Sequence, residues 1–190
     1  MVKKTFTLSA NIENGIAEGS RYIVTPNVQK VLQEIIDGYQ TGIHSFSIIG
    51  TYGTGKSSFL LHLEQDLKST TKNKELLKNT KLLHDGDFDI LNIVGDSKSL
   101  SSLLLSKLQE IMQSSETDVL TLLKSYYTKL KKQKKFLLIA IDEFGKVLEH
   151  AAKHDPEEEL YFFQKFTEVV NAPTRNTLLL TTMHQNFSAY

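Results

Sequence analysis

The 190 residues contain no cysteine, only three prolines and only two arginines, Arg21 and Arg175. Without cysteine there is no disulfide framework, and a reducing cytoplasm is the expected home. The chain also lacks an excess of either charge, with 22 basic against 22 acidic residues, so no global electrostatic case for a nucleic-acid partner arises. No apolar run approaches the roughly 18 to 20 residues of a membrane span. The opening Met-Val-Lys-Lys-Thr-Phe has lysines but no apolar stretch behind them, which argues against a secretory signal. Nothing suggests a metal-binding cluster among the six histidines, and there is no internal repeat or low-complexity linker. What remains, at 40% hydrophobic residues, is the composition of one soluble domain with a sizeable core and no membrane partner.

Hydrophobic periodicity outlines the elements. Residues 1–20 form a turn-rich lead-in with Asn14-Gly15 and Glu18-Gly19, and residues 21–190 form the domain proper. Thr25-Pro26 reads as a helix start, followed by an apolar stripe at Val28, Val31, Leu32, Ile35 and Ile36 that stops at Gly38 or Gly42. Phe46–Ile49, Asp89–Val94, Phe136–Ile141 and Thr177–Thr182 read as strands; helical patterns occupy about 58–67, 99–113, 117–131 and the stretch from Asp155-Pro156. Lys68 to Lys81 reads as a solvated helix-loop segment. The lysines of 131–135 read as a solvated helix cap, phosphate-backbone contact being the lesser alternative. Strands alternating with helices imply right-handed crossovers: an α/β fold with a mainly parallel central sheet and helices on both faces. Ligands in such sheets bind at the carboxyl ends of the strands.

Two of those ends carry chemistry. After the first strand comes Gly50-Thr51-Tyr52-Gly53-Thr54-Gly55-Lys56-Ser57, a complete phosphate-binding octet with Ser58 opening the following helix. The strand before it and the helix behind it are the context that separates such a loop from a chance run of glycines. Its glycines let the backbone approach phosphates, and amides at a helix N-terminus favour anions. Lys56 is expected to reach the β- and γ-phosphates and the Ser57 hydroxyl to ligate Mg²⁺, making ATP and Mg²⁺ the expected ligands. The buried run of 137–141 ends in Asp142-Glu143, the Walker B arrangement over 137–143. Asp142 would hold the metal shell while Glu143 polarises the attacking water. The fourth strand ends in Thr181-Thr182-Met183-His184-Gln185, where Thr182 is the first choice, and Gln185 the second, for a residue that contacts the water or γ-phosphate. His184 reads equally well as an ordinary loop histidine. Arg175 stands at the amino end of its strand, the wrong edge for a catalytic arginine in its own site, and is expected to serve on the surface.

Together the octet, Ile141-Asp142-Glu143 and the polar strand end resemble the P-loop ATPases of the AAA+ and STAND groups, including the origin-recognition type. The resemblance implies a P-loop three-layer sandwich, with a segment ahead of the first helix, here Tyr22, Ile23 and Val24, lying against adenine. Asp-Glu-Phe-Gly-Lys at 142–146 is similar to bacterial ATPases of restriction and phage-defence clusters. Met183 replaces the arginine that STAND proteins carry after two threonines. The resemblance also implies a fifth strand, an arginine finger and a helical lid, none of which can be placed, so the expectation is the N-terminal part of a larger ATPase. It further implies a homo-oligomer or partner domains, with DNA a possible associate. An Asn-Lys-x-Asp string, used for guanine, is missing. Alternatives are a slowly hydrolysing assembly switch and a DNA translocase.

Overall fold

The computed structural model describes residues 22–69 and 86–190, together with Ile12, Gly15, Lys74, Leu76 and Leu77. Arg21 and, apart from Ile12 and Gly15, the lead-in lie outside the described residues. Elements follow in the order α1 (Pro26–Gln40), β1 (Ser45–Ile49), α2 (Lys56–Lys68), β2 (Phe88–Val94), α3 (Leu100–Met112), α4 (Val119–Lys132), β3 (Phe136–Asp142), α5 (Phe144–Lys153), α6 (Pro156–Val170) and β4 (Thr177–Met183), closed by a 3₁₀ turn at Phe187–Ala189. The four strands form one parallel sheet in the order β1-β4-β3-β2. All four carboxyl ends therefore open on the same edge. Among the described residues no helix is long and apolar enough to cross a membrane.

Every residue of β3 and β4 is buried, and their alternating side chains feed two separate cores. Leu137, Ile139, Ile141 and Leu179 pack with the buried faces of α3, α4, α5 and α6. Phe136, Leu138, Ala140, Leu178 and Leu180 point the other way, against Leu32, Ile35 and Ile36 of α1 and Phe59, Leu60 and Leu63 of α2. This is a three-layer α/β/α sandwich, and burial on both faces is why the two strands read as unbroken apolar runs.

Helix starts follow local capping chemistry. The Thr25 hydroxyl accepts the Val28 N–H ahead of Pro26, Ser99 accepts from Ser102, Asp118 from Thr121 and Asp155 from Glu158. Helix α5 escaped the sequence reading because its cap position is Glu143, which has left-handed backbone (φ 53°, ψ 38°) and no side-chain cap bond. No Ser, Thr, Asn or Asp announces it, although Phe144, Val147 and Ala151 do form its buried face. The stretch Lys68–Lys81 needs a further correction. Leu76 and Leu77 are buried, and both donate their backbone N–H to Asp66 Oδ2 of α2, at 2.7 and 2.8 Å. That part is docked on the domain rather than solvated.

Candidate functional site

The loop between β1 and α2 is shaped by backbone alone. Gly53 and Gly55 adopt φ of 77° and 87°, left-handed values that other residues take only at a cost. Thr51, Tyr52, Gly53, Thr54 and Gly55 are exposed, while Ser57 and Ser58 are half-buried in the first turn of α2. Gly55 occupies the cap position of α2 and brings no side chain to its first-turn amides. Those N–H groups and the positive end of the helix dipole thus face outward without a protein acceptor from the cap. The loop is stitched to the sheet by the Gly50 N–H, which donates to the Met183 carbonyl at the tip of β4 (3.1 Å), and internally by the Thr54 hydroxyl, which donates to the Thr51 carbonyl (2.8 Å).

Lys56 folds back over this loop. Its Nζ donates to the carbonyls of Gly50 (2.5 Å) and Thr51 (2.9 Å) and stands 3.4 Å from His184 Nδ1. Burial holds its ammonium below the usual lysine range, and the nearby charges of Asp142 and Glu143 pull it back up. The lysine of the loop and the two acids of β3 therefore share one electrostatic neighbourhood.

At the tip of β3 the groups are locked by side-chain bonds. Asp142 is buried, and the Thr182 hydroxyl donates to its Oδ1 in a short hydrogen bond. The same hydroxyl oxygen accepts the Glu143 backbone N–H at 3.0 Å. Thr182 is itself 1% exposed, so it sets the position of both acids rather than facing solvent as a free sensor. The Asp142 carbonyl accepts the Gly95 N–H at 2.7 Å. A β-carbon at Gly95 would collide with the Glu143 carbonyl oxygen, so only glycine lets β2 exit this close to β3. The Glu143 carboxylate is ion-paired with Lys146 one turn into α5, and that bond raises the Lys146 pKa.

Two residues here were not singled out by the sequence. Gly95 simply follows the Asp89–Val94 stretch in the sequence. His184 stacks on Tyr52 with ring centroids 3.5 Å apart, and it is held below the usual histidine range, first by burial and then by the Lys56 charge, with Glu143 and Asp142 opposing. It bridges the loop and the β4 tip. Gln185, the second choice for a sensor, is exposed beyond that tip. Tyr22 stacks on His62, six residues along α2 from Lys56 (4.5 Å between centroids), Ile23 is 80% exposed and Val24 is half-buried against the α1–α2 core. Arg175 is half-exposed, in keeping with a surface role, but its side chain is not free. Its guanidinium stacks 4.4 Å over Tyr127 and donates to the Val169 carbonyl, at the opposite edge of the sheet.

The donor set suits a magnesium-bound polyphosphate. Mg²⁺ in such sites takes one or two protein oxygens and fills its octahedron with water and phosphate; Ser57 Oγ and the Asp142 Oδ2 not engaged by Thr182 match that pattern.

No family model matches the chain, and no curated protein matches it. Solved structures do. The ORC2 protein of Aeropyrum pernix in its ADPNP-ADP complexes superposes with a TM-score of 0.56 at 15% identity, over 84% of this chain and 40% of that one. Its ADP form gives 0.52 at 14% identity, over 91% and 44%. PCH-2 of C. elegans gives 0.46 at 17%, over 84% and 37%. The chain thus spans less than half the length of each. At such identities the likeness is one of fold alone, shared with the archaeal ORC2 protein over most of this chain.

Proposed function

We infer that this domain binds ATP with Mg²⁺ and hydrolyses it, driving a conformational or assembly change in a larger protein. One observation carries the reading: an uncapped glycine loop after β1 and a Thr182-locked pair of acids after β3 stand at the same edge of the sheet on either side of β4, with the Lys56 ammonium responding to both Asp142 and Glu143. The ADPNP-ADP complexes of the archaeal ORC2 protein support the choice of ligand.

In this reading the amides of Gly53 to Ser57 hold the phosphates. Lys56 exchanges the Gly50 and Thr51 carbonyls for the β- and γ-phosphate oxygens. Ser57 and Asp142 would hold Mg²⁺, which supplies neutralisation of charge on the transferring phosphoryl group. Glu143 takes a proton from water as the water oxygen bonds to the γ-phosphorus. The bond from that phosphorus to the bridging oxygen breaks, leaving ADP and phosphate. Thr182 acts through Asp142 and Glu143 as a positioning residue. Tyr22, Ile23 and Val24 flank α2 on the side proposed for the base. A homo-oligomer, partner domains carrying a lid and an arginine finger, and a DNA-associated or phage-defence setting belong to the same proposal.

The Lys146–Glu143 ion pair favours a second reading, a switch that turns over rarely, because the base is engaged before substrate arrives. Two variants separate the readings. Glu143→Gln should keep ATP affinity while turnover falls about 100-fold or more; wild-type turnover in that variant would remove Glu143 from the mechanism. Lys146→Met should raise turnover several-fold if the pair restrains the base, and leave it unchanged if substrate alone releases Glu143.

A further inference from the structure

The edge of the sheet opposite the nucleotide site holds a second cleft, of about 550 Å³. Its walls are the last turns of α4, the turn into β3 and the segment between α6 and β4. They bring together Lys124, Lys131, Lys134, Lys135 and Arg175, and among the described residues no carboxylate lines the cleft. In a chain with equal numbers of acids and bases, this is a strong local imbalance.

Helix-end chemistry accounts for part of it, since cations suit the last turn of α4. It does not account for Lys124, which sits in the middle of α4, or for Arg175, which belongs to another segment. Strand pairing joins them: Leu137 pairs with Thr177 and donates its N–H to the Asn176 carbonyl (2.9 Å), so the residues that lead into β3 and β4 lie side by side. Arg175 is pre-set by its stack on Tyr127 and its bond to Val169. Tyr127 also lines the cleft, so the ring that holds Arg175 in place is part of its wall.

We propose that this cleft binds the phosphodiester backbone of nucleic acid, without base specificity. Lys124 and Lys131 are two helical turns apart, about 10 Å along α4. One nucleic-acid strand presents a charge about every 3.4 Å of axis, so the ridge spans two to three phosphates. A concave, polar-walled trough accepts a linear polyanion, whereas the flat surface of an anionic membrane would meet only its rim. The site is independent of ATP and lies at the far edge of the sheet from it.

The test is fluorescence anisotropy with short labelled duplex and single-stranded DNA, without nucleotide, across a salt series. The whole chain should bind at low salt, with log affinity falling against log salt at a slope of about −2 to −3 for the duplex. The pair Lys131→Glu/Lys135→Glu, one exposed and one half-buried residue, should lose tenfold or more in affinity and about two in slope, with circular dichroism unchanged. Lys30→Glu/Lys98→Glu, which changes net charge equally outside the cleft, should bind like wild type. Absence of binding to either DNA, equal loss in both double variants, or binding only to phosphatidylserine vesicles would overturn the proposal.

Discussion

The loop over residues 50–57 and the tips of β3 and β4 stand at one edge of the sheet, yet they are held in opposite ways. The loop is exposed over Thr51–Gly55 and shaped by Gly53 and Gly55 in left-handed conformations. The strand tips are buried and held by side chains, Thr182 bridging Asp142 and Glu143 while Gly95 closes in behind. A backbone-shaped loop contributes little to the core, so damage there should be felt by the ligand. Buried, mutually bonded strand tips belong to core and site at once, so damage there should be felt by both.

Lys56→Ala gives the largest effect and bears on the loop half alone. ATP affinity should fall about 100-fold, near 3 kcal/mol, while the melting temperature moves little. Calorimetric titration beside thermal melts reads both, and unchanged affinity would remove the loop from the phosphate site. Gly95→Ala probes the other half without touching an acid. Its methyl meets backbone, which has no flexible end to yield, so stability should drop by about 2 to 4 kcal/mol in urea unfolding, and turnover with it. A stable, active variant would show that the strand tips have more slack than the packing implies.

Thr182→Val keeps shape and volume but leaves the Glu143 N–H and the Asp142 carboxylate without their partner. A loss of about 1 to 3 kcal/mol is expected, together with lower turnover, and Thr182→Ser should restore both. Should valine match threonine in both measurements, the comparison fails.

The smallest effect tests burial of charge away from the site. Glu64 of α2 is 6% exposed and accepts from Asn92 Nδ2 at 2.9 Å. Burial holds its carboxyl above the ordinary range, with Asn92 and Lys68 pulling partway back. A group raised in the folded state stabilises below its unfolded pKa of about 4.3. That contribution is lost as pH rises through the folded value. Glu64→Gln should therefore raise the melting temperature by about 2 °C near pH 7.5, and the gain should shrink to nothing near pH 4. A gain that is constant across this range would mean the charge was never the cost.

Much of this was legible in advance for identifiable reasons. The octet declares itself because glycine spacing encodes backbone shape directly, and β3 and β4 declare themselves because two-sided burial leaves no polar alternation. Helix α5 stayed hidden because its start is a strained Glu143 instead of a capping residue. The partner of Arg175 stayed hidden because its stack on Tyr127 joins segments about fifty residues apart in sequence.

The sequence by itself determined the local chemistry: which loop turns tightly on its glycines, which strands are buried on both faces, and which strand ends in two acids. Only the tertiary structure decided who stands beside whom. Pairing of Ile49 with Met183 brings His184 to the loop, and pairing of Val94 with Asp142 brings Gly95 against Glu143. Adjacent starts of β3 and β4 collect the cations of the opposite edge. Register between strands distant in the chain is fixed by the summed packing of both cores, and no short window of residues contains that information.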